Sequence, residues 1–208
     1  MSRQSNMRLT EVVVVVLVLA LLIALAIPPI SQKVKLLKCR NNLREFSAAW
    51  RPWLTDNDDK MPWHVSVTNG GAMEAVALGN VAFVFEVMSN ELSSPKVLCC
   101  PADKRRIMAT NFASMANSNI SYFVTMDATE TNPNMLALGD DHLVVDSVPV
   151  KTGILTLWTN SPVGWTAERH KKKGNVELMD GSVWSCSDTQ LISHVRGAIV
   201  PTNRLVFP

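Results

Sequence analysis

The longest pattern in the chain is an unbroken apolar run, Val12 to Ile27, preceded directly by one acid, Glu11, and followed by Pro28 and Pro29. Extended to Ile30 as helix it spans roughly 28 Å, the thickness of a bilayer's hydrocarbon core. From Ser31 the pattern changes. Leu36, Cys39, Leu43, Phe46, Trp50 and Trp53 recur at spacings of three and four with polar residues between them, which predicts an amphipathic helix that Pro52 should kink or end near Arg51. Such a helix needs a covering layer. Candidate strands follow at Ile154–Thr159, within "SNISYFVTM" and "NMLAL", and in "NVELM" and "SVWSC", where Asp180-Gly181 suits a type I′ hairpin turn. "VAFVFEVM", Val81–Met88, reads as a helix ending before Pro95.

With 208 residues the chain holds one domain plus an anchor, and 20 basic against 18 acidic side chains give a net charge of only +2. This balance argues against nucleic acid as the main partner. Cys39, Cys99, Cys100 and Cys186 form neither a CxxC pair nor a zinc-finger spacing, so their state depends on compartment.

Three readings fit the N-terminus. A cleaved secretory signal would use Arg3 and Arg8 as its basic region and "ALA" at Ala24 to Ala26 as its cleavage site. A plain signal anchor would keep the arginines inside and the bulk of the chain outside. Neither accounts for Glu11, because an acid at membrane depth needs a partner. Arg8, three residues before it, is one candidate within the same helix.

The third reading rests on a resemblance. "MRLTEVVVVVLVLALLIALAIPPI" is similar to the N-terminus of type IV pilins and type II secretion pseudopilins, with Met7, Leu9, Thr10 and Glu11 on the family pattern and Pro28 where these helices often bend. "CRNNLREFSAAW", "DNDDKMP", "VLCCPAD", "NISYFV" and the H-x9-D-G spacing of His170, Asp180 and Gly181 resemble a bacterial pseudopilin-like group. The resemblance implies an α+β, pilin-like fold: a long N-terminal helix, half membrane and half amphipathic, packed on an antiparallel sheet with short extra helices. It implies a leader over residues 1–6, a transmembrane and assembly helix over 7–30, an amphipathic helix over 31–55 and an extracytoplasmic domain over 56–208.

It further implies cleavage between Asn6 and Met7 by a prepilin peptidase, which methylates the new amine, and a pairing of Glu11 with the Met7 amine of a neighbouring subunit in a filament. The implied partners are other pilin or pseudopilin subunits, the prepilin peptidase and the inner-membrane assembly platform. The implied location is the bacterial cytoplasmic membrane, single-pass, with the N-terminus inside. In the resembling group Cys39 and Cys100 recur as paired landmarks, which implies a disulfide; two buried thiols, or a bridge from Cys99 instead, remain open.

Other polar clusters read as structural. Asp56–Lys60, "DNDDK", offers oxygen ligands to calcium but lacks the glycine and distal glutamate of an EF-hand, and reads as a solvated helix exit. His170 with Asp180 lacks a nucleophile or third ligand at a recognisable spacing, and reads as a histidine that packs or hydrogen-bonds beside the hairpin whose turn is Asp180-Gly181. "ERHKKK", Glu168–Lys173, reads as a solvated basic loop. No enzyme and no cofactor are expected. The expected function is that of a structural pilin-like subunit; the alternative is a membrane-anchored extracytoplasmic domain that binds a ligand or partner and never polymerises.

Overall fold

The computed structural model describes residues 9–198 and 200–208, with the side chains of all of these except 25–29. The chain divides into two compact units after Val34. Helix α1 runs Leu9–Asp56. In the first unit its large hydrophobic residues from Val12 to Ile23 are exposed. Among the described residues no helix is long and apolar enough to cross a membrane; the apolar run of the sequence continues through positions 25–29, whose side chains lie outside the description.

Beyond Lys35 the architecture is α+β. Cys39, Leu43, Phe46, Trp50 and Trp53 of α1 are buried in one core cluster, following the spacing of three and four. Pro52 does not end the helix near Arg51, since α1 continues to Asp56. The reason is its face. Pro52 is exposed, and so is Ala48, whose carbonyl loses its i+4 donor, so solvent reaches that carbonyl and the missing bond costs little.

Two short helices, α2 (Met73–Ala77) and α3 (Val81–Val87), follow, with Asn80 accepting from the Phe83 amide to cap α3. Then come β1 (Tyr122–Thr125), β2 (Leu136–Asp140), β3 (Leu143–Val145), β4 (Val148–Pro149), β5 (Gly153–Trp158), β6 (Val163–Trp165), β7 (Lys173–Leu178) and β8 (Val183–Ser187). Helix α4 (Asp188–Gly197) and β9 (Thr202–Phe207) close the chain. The main sheet has the order β5-β9-β1-β2-β7-β8, and a small sheet the order β4-β3-β6. All pairings within them are antiparallel.

Both faces of the main sheet are covered, which strand parity makes plain. Tyr122, Val124, Ala137 and Val206 join the α1 residues in one core, while Phe123, Leu136, Leu205 and Phe207 join Trp165 of the small sheet and Leu191 and Val195 of α4 in another. Five of the six residues of β7 are therefore buried.

The β7–β8 turn differs from the expected type I′. Its closing bond runs from the Gly181 amide to the Leu178 carbonyl, 2.9 Å, and neither Met179 nor Asp180 has positive φ, whereas Gly181 has φ 82°. A turn followed by a left-handed glycine makes a three-residue hairpin loop. Asp180 fixes it by accepting from the Ser182 amide at 2.8 Å.

Candidate functional site

The polar chemistry of the second unit gathers where α1 meets the segment before β1. Cys39, on the buried stripe of α1, is joined to Cys100 by a disulfide, with Cα atoms 5.3 Å apart. Pro95–Leu98 forms a 3-10 turn that delivers Cys99 and Cys100 to the core, and both remaining thiols, Cys99 and Cys186, are buried and unbridged. Burial pushes both thiols above their ordinary pKa, so neither is a reactive thiolate.

Against the bridge lies His170, its Nε2 3.3 Å from Cys100 Sγ. Beside it is Asp140 at the end of β2, fully buried. Its Oδ2 accepts from the Asn175 amide at 2.7 Å and from Asn175 Nδ2 at 3.0 Å, while its Oδ1 has no hydrogen-bond partner among the described residues. One ligand atom from each of Cys39, Cys100, Asp140 and His170 lies within 4.8 Å of all the others. Burial lowers the His170 pKa, outweighing the attraction of Asp140, so the imidazole is neutral. His142 is also neutral for the same reason; its ring lies 5.0 Å from that of Trp165, and its Nε2 donates to the Lys173 carbonyl at 3.0 Å.

Next to these residues Arg169 is buried between two acids, Asp103 at 3.0 Å and Asp141. Arg106 reaches Asp141 at 2.8 Å, and Arg105 reaches both acids at 3.3 Å. Burial pushes the Asp103 carboxyl up, but Arg169 and Arg105 outweigh it and hold the pKa below the ordinary value. Three guanidinium groups and two carboxylates thus form one network, in which no member is a buried charge alone.

This arrangement corrects the reading of "ERHKKK" as a solvated loop, because Arg169 and His170 turn inward. They do so through a tight reversal in which His170, Lys171 and Lys172 all have positive φ, 52°, 53° and 58°, a costly backbone for residues with a Cβ. His170 lies at the start of the β7–β8 hairpin, at the end away from its Asp180-Gly181 turn. It precedes β7, the turn follows β7, and the strand separates them.

The H-x9-D-G spacing is instead a clamp at both ends of one strand. At one end His170 abuts the bridge that ends on Cys39 of α1; at the other, Ser47 of α1 donates through its hydroxyl to the Gly181 carbonyl at 2.9 Å. A Cβ on Gly181 would lie 3.0 Å from Ser47 Oγ, and the φ of 82° disfavours any side chain there. Gly181→Ala is expected to lower stability by about 1–2 kcal/mol in urea unfolding; no change in the midpoint would contradict the clamp.

Between the two clamp points Trp50 Nε1 donates to Glu177 Oε1 at 2.8 Å. Glu177 is fully buried, and desolvation pushes its pKa to about 8 in spite of the bond from Trp50. It lines a cavity of about 440 Å³ with Ser47, Trp50, Arg51, Asp180 and Gly181. Asp140 and Asp141 were not singled out in the sequence, and Asp103, Arg169 and Glu177 stood there only inside the strings "VLCCPAD", "ERHKKK" and "NVELM", without a role of their own. The one signal for part of this set is the acid-then-base string that follows Cys100, "PADKRR".

The remaining expected sites are dispersed. Asn6 and Met7 lie outside the described residues, as does the side chain of Pro28. Glu11 sits exposed in the first turn of α1. Asp56 ends α1, and Asp58 and Asp59 follow with φ of 54° and 56°. Asp58 pairs with Lys60 at 3.8 Å, while Asp59 turns to the Glu177 cavity, so among the described residues these carboxylates do not converge on one point. No family model, curated protein or solved structure matches the chain.

Proposed function

We propose that the chain is a non-enzymatic, pilin-like subunit of a type II secretion pseudopilus or type IV pilus, held in the bacterial cytoplasmic membrane by its N-terminal helix until it joins a filament. The observation that carries this reading is the contrast along α1. Val12 to Ile23 are apolar and exposed all round the helix, whereas beyond Cys39 the same helix buries one face in its own domain. A helix apolar on every side is suited to lipid or to the apolar helices of neighbouring subunits. The leader motif around Asn6, Met7 and Glu11 supports prepilin peptidase and the inner-membrane assembly platform as partners. The polar centre supports a structural role, since its charges are spent on one another and on locking β7 to α1.

One observation favours a second reading, an anchored domain that binds a ligand without polymerising: the cavity beside Glu177. A single experiment separates the two. Glu11→Ala leaves the amount of chain in the membrane unchanged but lowers its recovery in sheared filaments several-fold, because the ammonium of a neighbour's Met7 is left buried without its carboxylate. Arg8→Ala serves as the comparison, and a stronger defect from it than from Glu11→Ala would place the acid's partner within one chain. Normal filament recovery for Glu11→Ala would reject assembly through this residue and favour the anchored binding domain.

A further inference from the structure

The groups around the Cys39–Cys100 bridge have a property the bridge itself does not use. Two sulfurs, a carboxylate and an imidazole lie mutually within 4.8 Å, all buried, drawn from α1, the segment before β1, the end of β2 and the approach to β7. We propose that, when the bridge is reduced, Cys39, Cys100, Asp140 and His170 bind one divalent cation of the zinc class, so that this point of the fold is closed either by a disulfide or by a metal.

Donor chemistry supports it. Two thiolates, one imidazole nitrogen and one carboxylate oxygen make a four-coordinate set suited to zinc. Bonds of about 2.3 Å to sulfur and about 2.0 Å to nitrogen and oxygen place tetrahedral ligand atoms roughly 3.3–3.8 Å apart. His170 Nε2 and Cys100 Sγ, at 3.3 Å, already have such a separation. The sulfurs need only part to about 3.8 Å, a small movement of two side chains.

Asp140 is the second, independent pointer. It is fully buried, its Oδ2 is fixed by two donors from Asn175, and its Oδ1 has no partner among the described residues. A buried oxygen left so is costly, and a cation at this point would satisfy it. Asn175 then acts as the outer residue that orients a ligating carboxylate. With two thiolates and one carboxylate around a dication the site carries one negative charge, next to the guanidinium of Arg169.

The balance of the exchange is simple. A dithiol gives two protons and two electrons to the bridge, becoming a disulfide, and the Cys39 and Cys100 sulfurs each become a thiol. Metal entry then forms two metal–sulfur bonds, one metal–nitrogen bond and one metal–oxygen bond, and releases the two thiol protons to solvent. A disulfide oxidant reverses this, removing two electrons from the sulfurs and freeing the cation.

The test uses the full chain in detergent micelles. One sample keeps its bridge; the other is reduced with a trialkylphosphine, which takes up a water oxygen, and is freed of reagent without air. Each is titrated with cobalt(II) and then zinc(II) against a chromophoric chelator. The reduced chain is expected to take up one equivalent, with the thiolate-to-cobalt charge-transfer band and intense visible bands of a tetrahedral site, while the oxidised chain shows neither. His170→Ala and Asp140→Asn each weaken binding at least about tenfold, and Cys39→Ser removes one sulfur from the spectrum; Cys99→Ser changes nothing. A reduced wild-type chain that binds no cobalt, or a spectrum indifferent to Cys39→Ser or abolished by Cys99→Ser, overturns the proposal. The wild-type titration decides the question even if a variant fails to fold.

Discussion

Replacing Cys39 and Cys100 together by alanine is expected to lower the unfolding free energy by about 4 kcal/mol, with chelator present so that metal plays no part. The two residues are 61 apart in sequence, so the bridge removes a long loop's worth of freedom from the unfolded chain. Its anchoring points add to the effect: one lies on α1 and the other ahead of β1, so the bridge holds the helix against the sheet layer it must cover. Both sulfurs are fully buried, and alanine leaves a small void there as well. Urea unfolding of wild-type and variant, each in the same detergent and under non-reducing conditions, reads the difference in extrapolated free energy, each protein taken with its own slope because the unbridged unfolded chain is more expanded. A loss below about 1 kcal/mol would mean that the native contacts of α1 fix the helix without the bridge.

The reach of the sequence can be judged residue by residue. The stripe from Cys39 to Trp53 was legible because helix periodicity is local, and so was the β7–β8 pairing, because a short hairpin needs only its two strands and their turn. The turn type was not, since Asp-Gly serves equally as the centre of a type I′ turn and as the end of a three-residue loop, and only the register decides. Pro52 misled because a proline stops a helix only where its lost bond cannot be replaced, and exposure is a tertiary property.

Arg169 and His170 were hidden for a deeper reason. A basic run is read as solvated unless acids are known to face it, and the partners Asp103 and Asp141 come from other segments of the fold. Asp140 and Glu177 were hidden by parity. In a sheet with one wet face, a carboxylate on a strand points to water; here α1 covers one face and α4 with the small sheet the other, so neither parity leads out. The candidate site was thus legible as single letters, Cys39, Cys100 and His170, and not as a constellation.

Glu177→Gln is expected to stabilise the protein at neutral pH and to remove a pH dependence. In the folded chain burial raises the Glu177 pKa from 4.5 to about 8, so this carboxyl keeps its proton over a range in which the unfolded chain releases it. The sign follows from linkage: where the folded state holds the extra proton, stability falls as pH rises. The contribution is fully present below about pH 4.5, declines by about 1.4 kcal/mol per pH unit above it, and is flat again beyond the folded pKa of about 8. Glutamine keeps an oxygen to accept from Trp50 Nε1 and has no proton to lose, so the variant should match wild-type near pH 4 and exceed it by about 3 kcal/mol at pH 7. Taking the difference between the two proteins at each pH cancels every other titrating group. Urea unfolding of both across pH 4–8 supplies that difference, and a value that stays constant over the range would show that Glu177 ionises in the folded state as it does in water, with the adjoining cavity hydrating its charge.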